Sequence, residues 1–145
     1  MKEQQYAAKI ILDTYEHNNR TLRIDTDGLV TFRGVGVFVD FQNEEYKTTI
    51  GFSEDTVTLT RIGEQSYTII LTKNQVKEFF IDTGYGLVPL KVTTHDIKYQ
   101  FENNIINLTM EYSIKADLLK DAAKFNLILK CILEEHYEAA MAGTL

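Results

Sequence analysis

Residues 97–114 read IKYQFENNIINLTMEYSI, and their alternation decides the fold. Ile97, Tyr99 and Phe101 fall on one face of the first half; beyond Glu102-Asn103-Asn104, the residues Ile106, Leu108, Met110, Tyr112 and Ile114 fall on one face of the second. A period of two is the mark of a half-buried strand, because successive side chains leave a pleated backbone on opposite sides. Two such runs across a short turn predict an antiparallel hairpin with both apolar faces on one core.

The same pattern continues in both directions. Toward the N-terminus, Val88, Leu90, Val92 and Thr94 alternate along a strand, and Phe79 and Ile81 precede the break Asp82-Thr83-Gly84-Tyr85-Gly86. Pro89 has no amide donor and so belongs at a strand start, a bulge or an edge. Val57, Leu59 and Arg61 are paired across Gly63-Glu64-Gln65 with Tyr67, Ile69 and Leu71. Earlier still, Val35, Val37, Val39 and Phe41 turn at Asn43-Glu44-Glu45 into Tyr46, Thr48, Ile50 and Phe52. Leu22 and Ile24 begin a strand that should stop at the turn-like Asp25-Thr26-Asp27-Gly28. Tyr6, Ala8, Ile10 and Leu12 alternate as a first strand, although residues 4–12 also fit a short helix. Toward the C-terminus, residues 116–125 read as irregular or briefly helical, because Leu118, Leu119, Ala122 and Ala123 follow helical spacing. Leu127, Leu129, Cys131 and Leu133 make a final strand, and residues 134–145 a short helix or frayed tail.

Short strands at hairpin spacing with no interleaved long helices predict an all-β fold, an antiparallel up-and-down meander closed into a barrel of about eight to ten strands. Closure removes the sheet edges that an open meander would expose. Length, absence of repeats and even composition predict one domain over residues 1–145.

Composition narrows the function classes. Apolar residues make up 44% and charged residues 25%, which suits a compact globular chain. A net charge of −6 argues against a basic nucleic-acid surface. Cys131 is the sole cysteine, so there is neither an intramolecular disulfide nor a cysteine-based zinc site, and its apolar neighbours predict an inert core thiol. His17, His95 and His136 show no metal-ligand spacing. No segment resembles a signal peptide or spans a bilayer, which predicts a cytoplasmic protein without a membrane partner.

Several pieces are specific enough to resemble something known. Val57-Thr58-Leu59-Thr60-Arg61-Ile62-Gly63, Thr83-Gly84-Tyr85-Gly86, Thr93-Thr94 and Glu111-Tyr112 resemble the YwiB-like family of bacterial β-barrel proteins, a family of unknown function with a calycin-type, lipocalin-like barrel. The resemblance runs over residues 20–133, with Ile81 standing where an aromatic is usual. It implies a meandering barrel and carries over no activity, cofactor or catalytic residue.

Chemistry must therefore be read from polar residues in costly places. Strict alternation aims Arg61 at the barrel interior or its rim, where a guanidinium needs a carboxylate, carbonyls, water or an anionic ligand. Tyr67, Tyr99 and Tyr112 share inward registers, Tyr85 follows a glycine in a turn, and Thr94 continues the inward row of Val92. These six residues form the candidate ligand-binding set, against the plainer reading that each supplies bulk and one internal hydrogen bond. Gly84-Tyr85-Gly86 is only superficially like a phosphate loop, since no helix follows it. No catalytic residue, metal or cofactor is expected.

The sequence supports two functions. One is a non-enzymatic barrel that binds a small apolar or amphipathic anionic ligand, with Arg61 on the anion. The other is a filled barrel acting as an interaction module or homodimer, for which the outward-register Phe38 is the motive. Enzymatic activity is the least supported class.

Overall fold

Two-residue turns organise the hairpins. His17-Asn18 and Asn103-Asn104 both take positive φ at each residue (48° and 70°, 53° and 63°), the geometry whose twist matches a right-handed strand pair. The structure, a computed structural model, describes residues 3–44, 46–63, 66–82, 84–116 and 122–134. Within them the chain forms ten strands: β1 (Gln4–Glu16), β2 (Asn19–Arg33), β3 (Gly36–Asn43), β4 (Tyr46–Ser53), β5 (Thr56–Ile62), β6 (Tyr67–Thr72), β7 (Val76–Asp82), β8 (Leu87–Glu102), β9 (Ile105–Ala116) and β10 (Ala123–Leu133). There is no helix among the described residues, and so none long and apolar enough to cross a membrane.

All ten strands belong to one antiparallel sheet in the order β6-β5-β4-β3-β2-β1-β10-β9-β8-β7. The expected meander barrel is what forms, with one refinement: the first and last strands pair with each other, Ala8 opposite Leu133 through Glu16 opposite Phe125. The unzipped seam falls instead between β6 and β7. These two strands leave a tight turn closed by the Gln75 amide donating to Thr72 O at 3.1 Å, yet no ladder joins them. Each is held by its other neighbour, Lys73 N donating to Asp55 O at 2.9 Å and Asn74 N to Thr94 O at 2.8 Å.

The middle of the barrel is solid. Ala8, Ile10, Val30, Val39, Ile50, Leu108, Leu129 and Cys131 are essentially inaccessible and belong to one apolar cluster. The end reached by the β2–β3, β4–β5 and β8–β9 turns is plugged by aromatics. Phe32 stacks on Phe101 with ring centroids 5.6 Å apart, Tyr6 meets Phe32 edge-on at 5.9 Å, and Tyr99 packs on Phe52 at 5.2 Å.

Four expectations are corrected. The turn at Asp25-Thr26-Asp27-Gly28 is not there, because β2 runs straight through it: Asp25 and Asp27 sit opposite Ile11 and Lys9 of β1, and the Lys9 ammonium lies 4.0 Å from Asp25. Gly28 marks a close approach of backbones rather than a turn. A Cβ there would run into the Asp40 carbonyl oxygen and lie 2.9 Å from Ile10 Cγ1. The real turn is at Gly34, whose φ is +60°, with Val35 exposed beside it.

The runs 88–94 and 97–101, read as separate strands, are one strand with a β-bulge between Thr94 and Asp96. The inward row shifts from even to odd numbers there, and one unpaired residue, His95, supplies the shift. Pro89 lies near the start of β8, beyond the last β8–β9 pair among the described residues, Leu90 opposite Ala116. In the stretch 116–125, Ala123, Lys124 and Phe125 are strand, opposite Ile114, Ser113 and Tyr112. Leu118 and Leu119, the tail 135–145 with His136, and the turn residues Glu45, Glu64, Gln65 and Thr83 lie outside the described residues.

Phe38 is the fourth correction. Its outward register predicts an exposed aromatic, but its ring lies across Gly51, where an added Cβ would sit 2.8 Å from ring carbons, and the Arg33 guanidinium stands 5.1 Å over it. A ring covering a cross-strand glycine is a local packing device.

Candidate functional site

At the end of the barrel opposite the aromatic plug, polar residues converge. Cross-strand pairing puts Thr48 opposite Arg61 and Arg61 opposite Tyr67, so β4, β5 and β6 present threonine, arginine and tyrosine side by side. The guanidinium carbon lies 5.1 Å from the Tyr46 ring centroid and 5.9 Å from that of Tyr67, within cation–π range of both. Arg61 Nε is buried and has no hydrogen-bond partner, and no carboxylate among the described residues pairs with the guanidinium. Glu44 lines the same concavity without forming an ion pair to it. That concavity holds about 210 Å³ and is bounded by Arg61, Tyr46, Thr48, Leu22 and Ile24, along with the β3–β4 turn.

A second pair of polar residues lies on β8 and β9, apart from the concavity that Arg61 lines. Thr94 is 1% exposed, sits opposite Tyr112, and its Oγ1 has no partner. Burial pushes the Tyr112 phenol above its ordinary pKa, and the Tyr67 phenol adds to the shift. Tyr112 also stacks on Phe125, with ring centroids 5.5 Å apart.

Of the six candidate residues, Arg61 and Tyr67 are brought together at this end, whereas Thr94 and Tyr112 pair with each other across β8 and β9, and Tyr112 lines a different concavity with His95 and Phe125. Tyr99 is not among them: it lies at the plugged end, where its hydroxyl accepts the Glu54 amide at 3.0 Å. Tyr85 is fully exposed in the β7–β8 turn. Gly84 and Gly86 there have φ of +84° and +132°, the positive angles for which glycine is suited. Alternation alone marks Tyr46 and Thr48 as strand residues, and the register that sets them beside Arg61 follows from the two-residue Glu54-Asp55 loop.

Two larger concavities, of about 450 and 260 Å³, lie around the β8 bulge. Three of the charged or titratable groups that line them, Asp96, Lys98 and His95, are engaged within the protein. The Asp96 carboxylate is flanked by Lys73 at 3.3 Å and Lys98 at 3.4 Å; partial burial raises its pKa, but the two ammoniums outweigh burial and leave it below the usual value. His95 Nε2 and Ser113 Oγ share a hydrogen bond of 2.7 Å. The concavity at Arg61 is smaller but holds a buried donor with nothing to bond. Cys131 is a buried core residue and its thiol pKa is pushed up to about 12, so it stays a neutral thiol at ordinary pH.

Family comparison agrees with this architecture. The model of the domain of unknown function DUF1934 matches residues 10–127, most of the barrel. The chain belongs to this family. The crystal structure of the ywiB protein from Bacillus subtilis is similar to the DUF1934 barrel described above, with a TM-score of 0.69 over 92% of this chain and 94% of that one. At 14% identity the likeness shows the fold, and the resemblance read from the sequence holds. No curated protein matches the chain. For a DUF1934 barrel of this kind, neither comparison names a reaction or a ligand.

Proposed function

We propose that the protein binds a small anionic molecule at the open end of the barrel, its carboxylate or phosphate on Arg61 and a short apolar part against Leu22 and Ile24. The observation that carries this reading is the buried, unpartnered Nε of Arg61. Leaving such a donor unmet costs about 1–3 kcal/mol, more for a charged group, and an anion on the terminal nitrogens offsets that cost by neutralising the guanidinium. Arginine suits the task because its planar fork meets carboxylate and phosphate oxygens in pairs. The Tyr46 and Tyr67 rings lie within cation–π range of the guanidinium and help to position it.

The packed middle of the barrel decides what the ligand is not. A long apolar chain threaded along the axis would collide with Ile50, Val39 and Leu108, which are fully buried against their neighbours. A concavity of about 210 Å³ is also below the range of drug-sized pockets, roughly 300–1,000 Å³. The ligand is therefore small and held at the rim. No residue in the site forms a nucleophile–base pair, so binding rather than turnover is the reading it supports.

Isothermal titration with hexanoate and with hexyl phosphate tests this, using the intact protein and Arg61→Gln. The expected result is binding of at least one of the two and a loss of about tenfold to a hundredfold in the variant, the weight of one charge-assisted hydrogen bond. Absence of binding by both probes, or equal binding by Arg61→Gln, would overturn it.

A further inference from the structure

We infer that the free edge of β6 is an interface with a second copy of this chain, formed by antiparallel pairing of β6 with itself about a two-fold axis at Ile70. The barrel is unzipped between β6 and β7, so each presents one row of backbone donors and acceptors without a strand beside it. Such edges invite pairing and are commonly blunted by charge, especially lysine. The β7 edge is blunted in this way: Lys77 and Glu78 interrupt its apolar residues, and Lys77 takes the register of Val92, which faces the interior.

The β6 edge is not. Tyr67-Thr68-Ile69-Ile70-Leu71-Thr72 has no charge, no proline and no glycine, and five of its six residues are β-branched or aromatic. An unguarded edge of this composition is an aggregation hazard unless something covers it.

The composition also says what covers it. Under a two-fold axis every residue meets the same strand run backwards, so any charge on it risks opposing its own kind; β6 has none. With Ile70 on the axis, Thr68 lies opposite Thr72 of the second copy on the outer face, and Ile69 opposite Leu71 on the inner. Within one barrel the Thr68 hydroxyl already lies 3.3 Å from that of Thr60, and the Thr72 hydroxyl 3.5 Å from that of Thr56. Self-pairing joins these into one threonine row across four strands. Ile70, 49% exposed in the single chain, is covered by its own counterpart.

Light scattering after size exclusion, on the full chain and on Ile70→Lys, tests the pairing. A dimer is expected for the natural chain and a monomer for Ile70→Lys, with the strand content by circular dichroism unchanged. Ile70→Cys gives an independent readout: oxidation should produce a disulfide-linked dimer, whereas Phe80→Cys on β7 should not, and the buried Cys131 takes no part. A monomeric natural chain, a dimer that persists in Ile70→Lys, or crosslinking through residue 80 rather than 70 would each overturn the inference.

Discussion

A guanidinium with its Nε sealed from solvent and unbonded is a poor choice for structure alone, and it is the residue on which the functional reading turns. Its inward aim is legible in the sequence, because Arg61 shares parity with Val57 and Leu59. What surrounds it is legible only through register. The Glu54-Asp55 loop sets Ser53 opposite Thr56, which counts back to Thr48 opposite Arg61. Alternation gives the face of a residue but not its height along the barrel, which is why Tyr99 shares an inward row with the candidates yet sits at the far end. Thr94 raises the same question of unmet polarity at smaller scale. Since its Oγ1 is buried without a partner, Thr94→Val should raise stability by about 1 kcal/mol, seen as a higher urea midpoint with an unchanged slope. A lower midpoint would mean that the hydroxyl is bonded in solution.

At the scale of the elements, composition misled where pairing prevailed. Asp25-Thr26-Asp27-Gly28 has the residues of a turn, but the aspartates lie on the side of β2 away from the core and Gly28 faces into it. Fifteen residues of continuous strand follow because β1 and β3 pair along it, and local preference yields to the ladder. Gly28→Ala tests this: a methyl group forced against the Asp40 carbonyl should cost about 2 kcal/mol, read as a lower midpoint in urea. Tolerance of alanine would show that β2 and β3 do not approach so closely. The β8 bulge was written in the sequence as a change of parity, even through Thr94 and odd from Ile97, although that signal looks the same as two separate strands until the partner strand is known. The helical spacing read over the stretch 116–125 includes Ala123, yet pairing with β9 makes that residue strand.

For the whole molecule, the meander and its all-β class follow from alternation and short turns, and the family match agrees. The place of the seam does not follow, since closure through β1 and β10 depends on the tilt of every strand. The consequence is a barrel with a solid middle, an aromatic plug at one end, and a polar, open end where Arg61 stands. Backbone amide chemical shifts recorded while hexanoate is titrated into the protein report directly which end receives an anion. The account predicts shifts concentrated at Ile24, Tyr46, Thr48, Arg61 and Tyr67, with Phe32, Phe101 and the His95 bulge undisturbed; shifts centred on the plugged end or the bulge, or none at all, would contradict it.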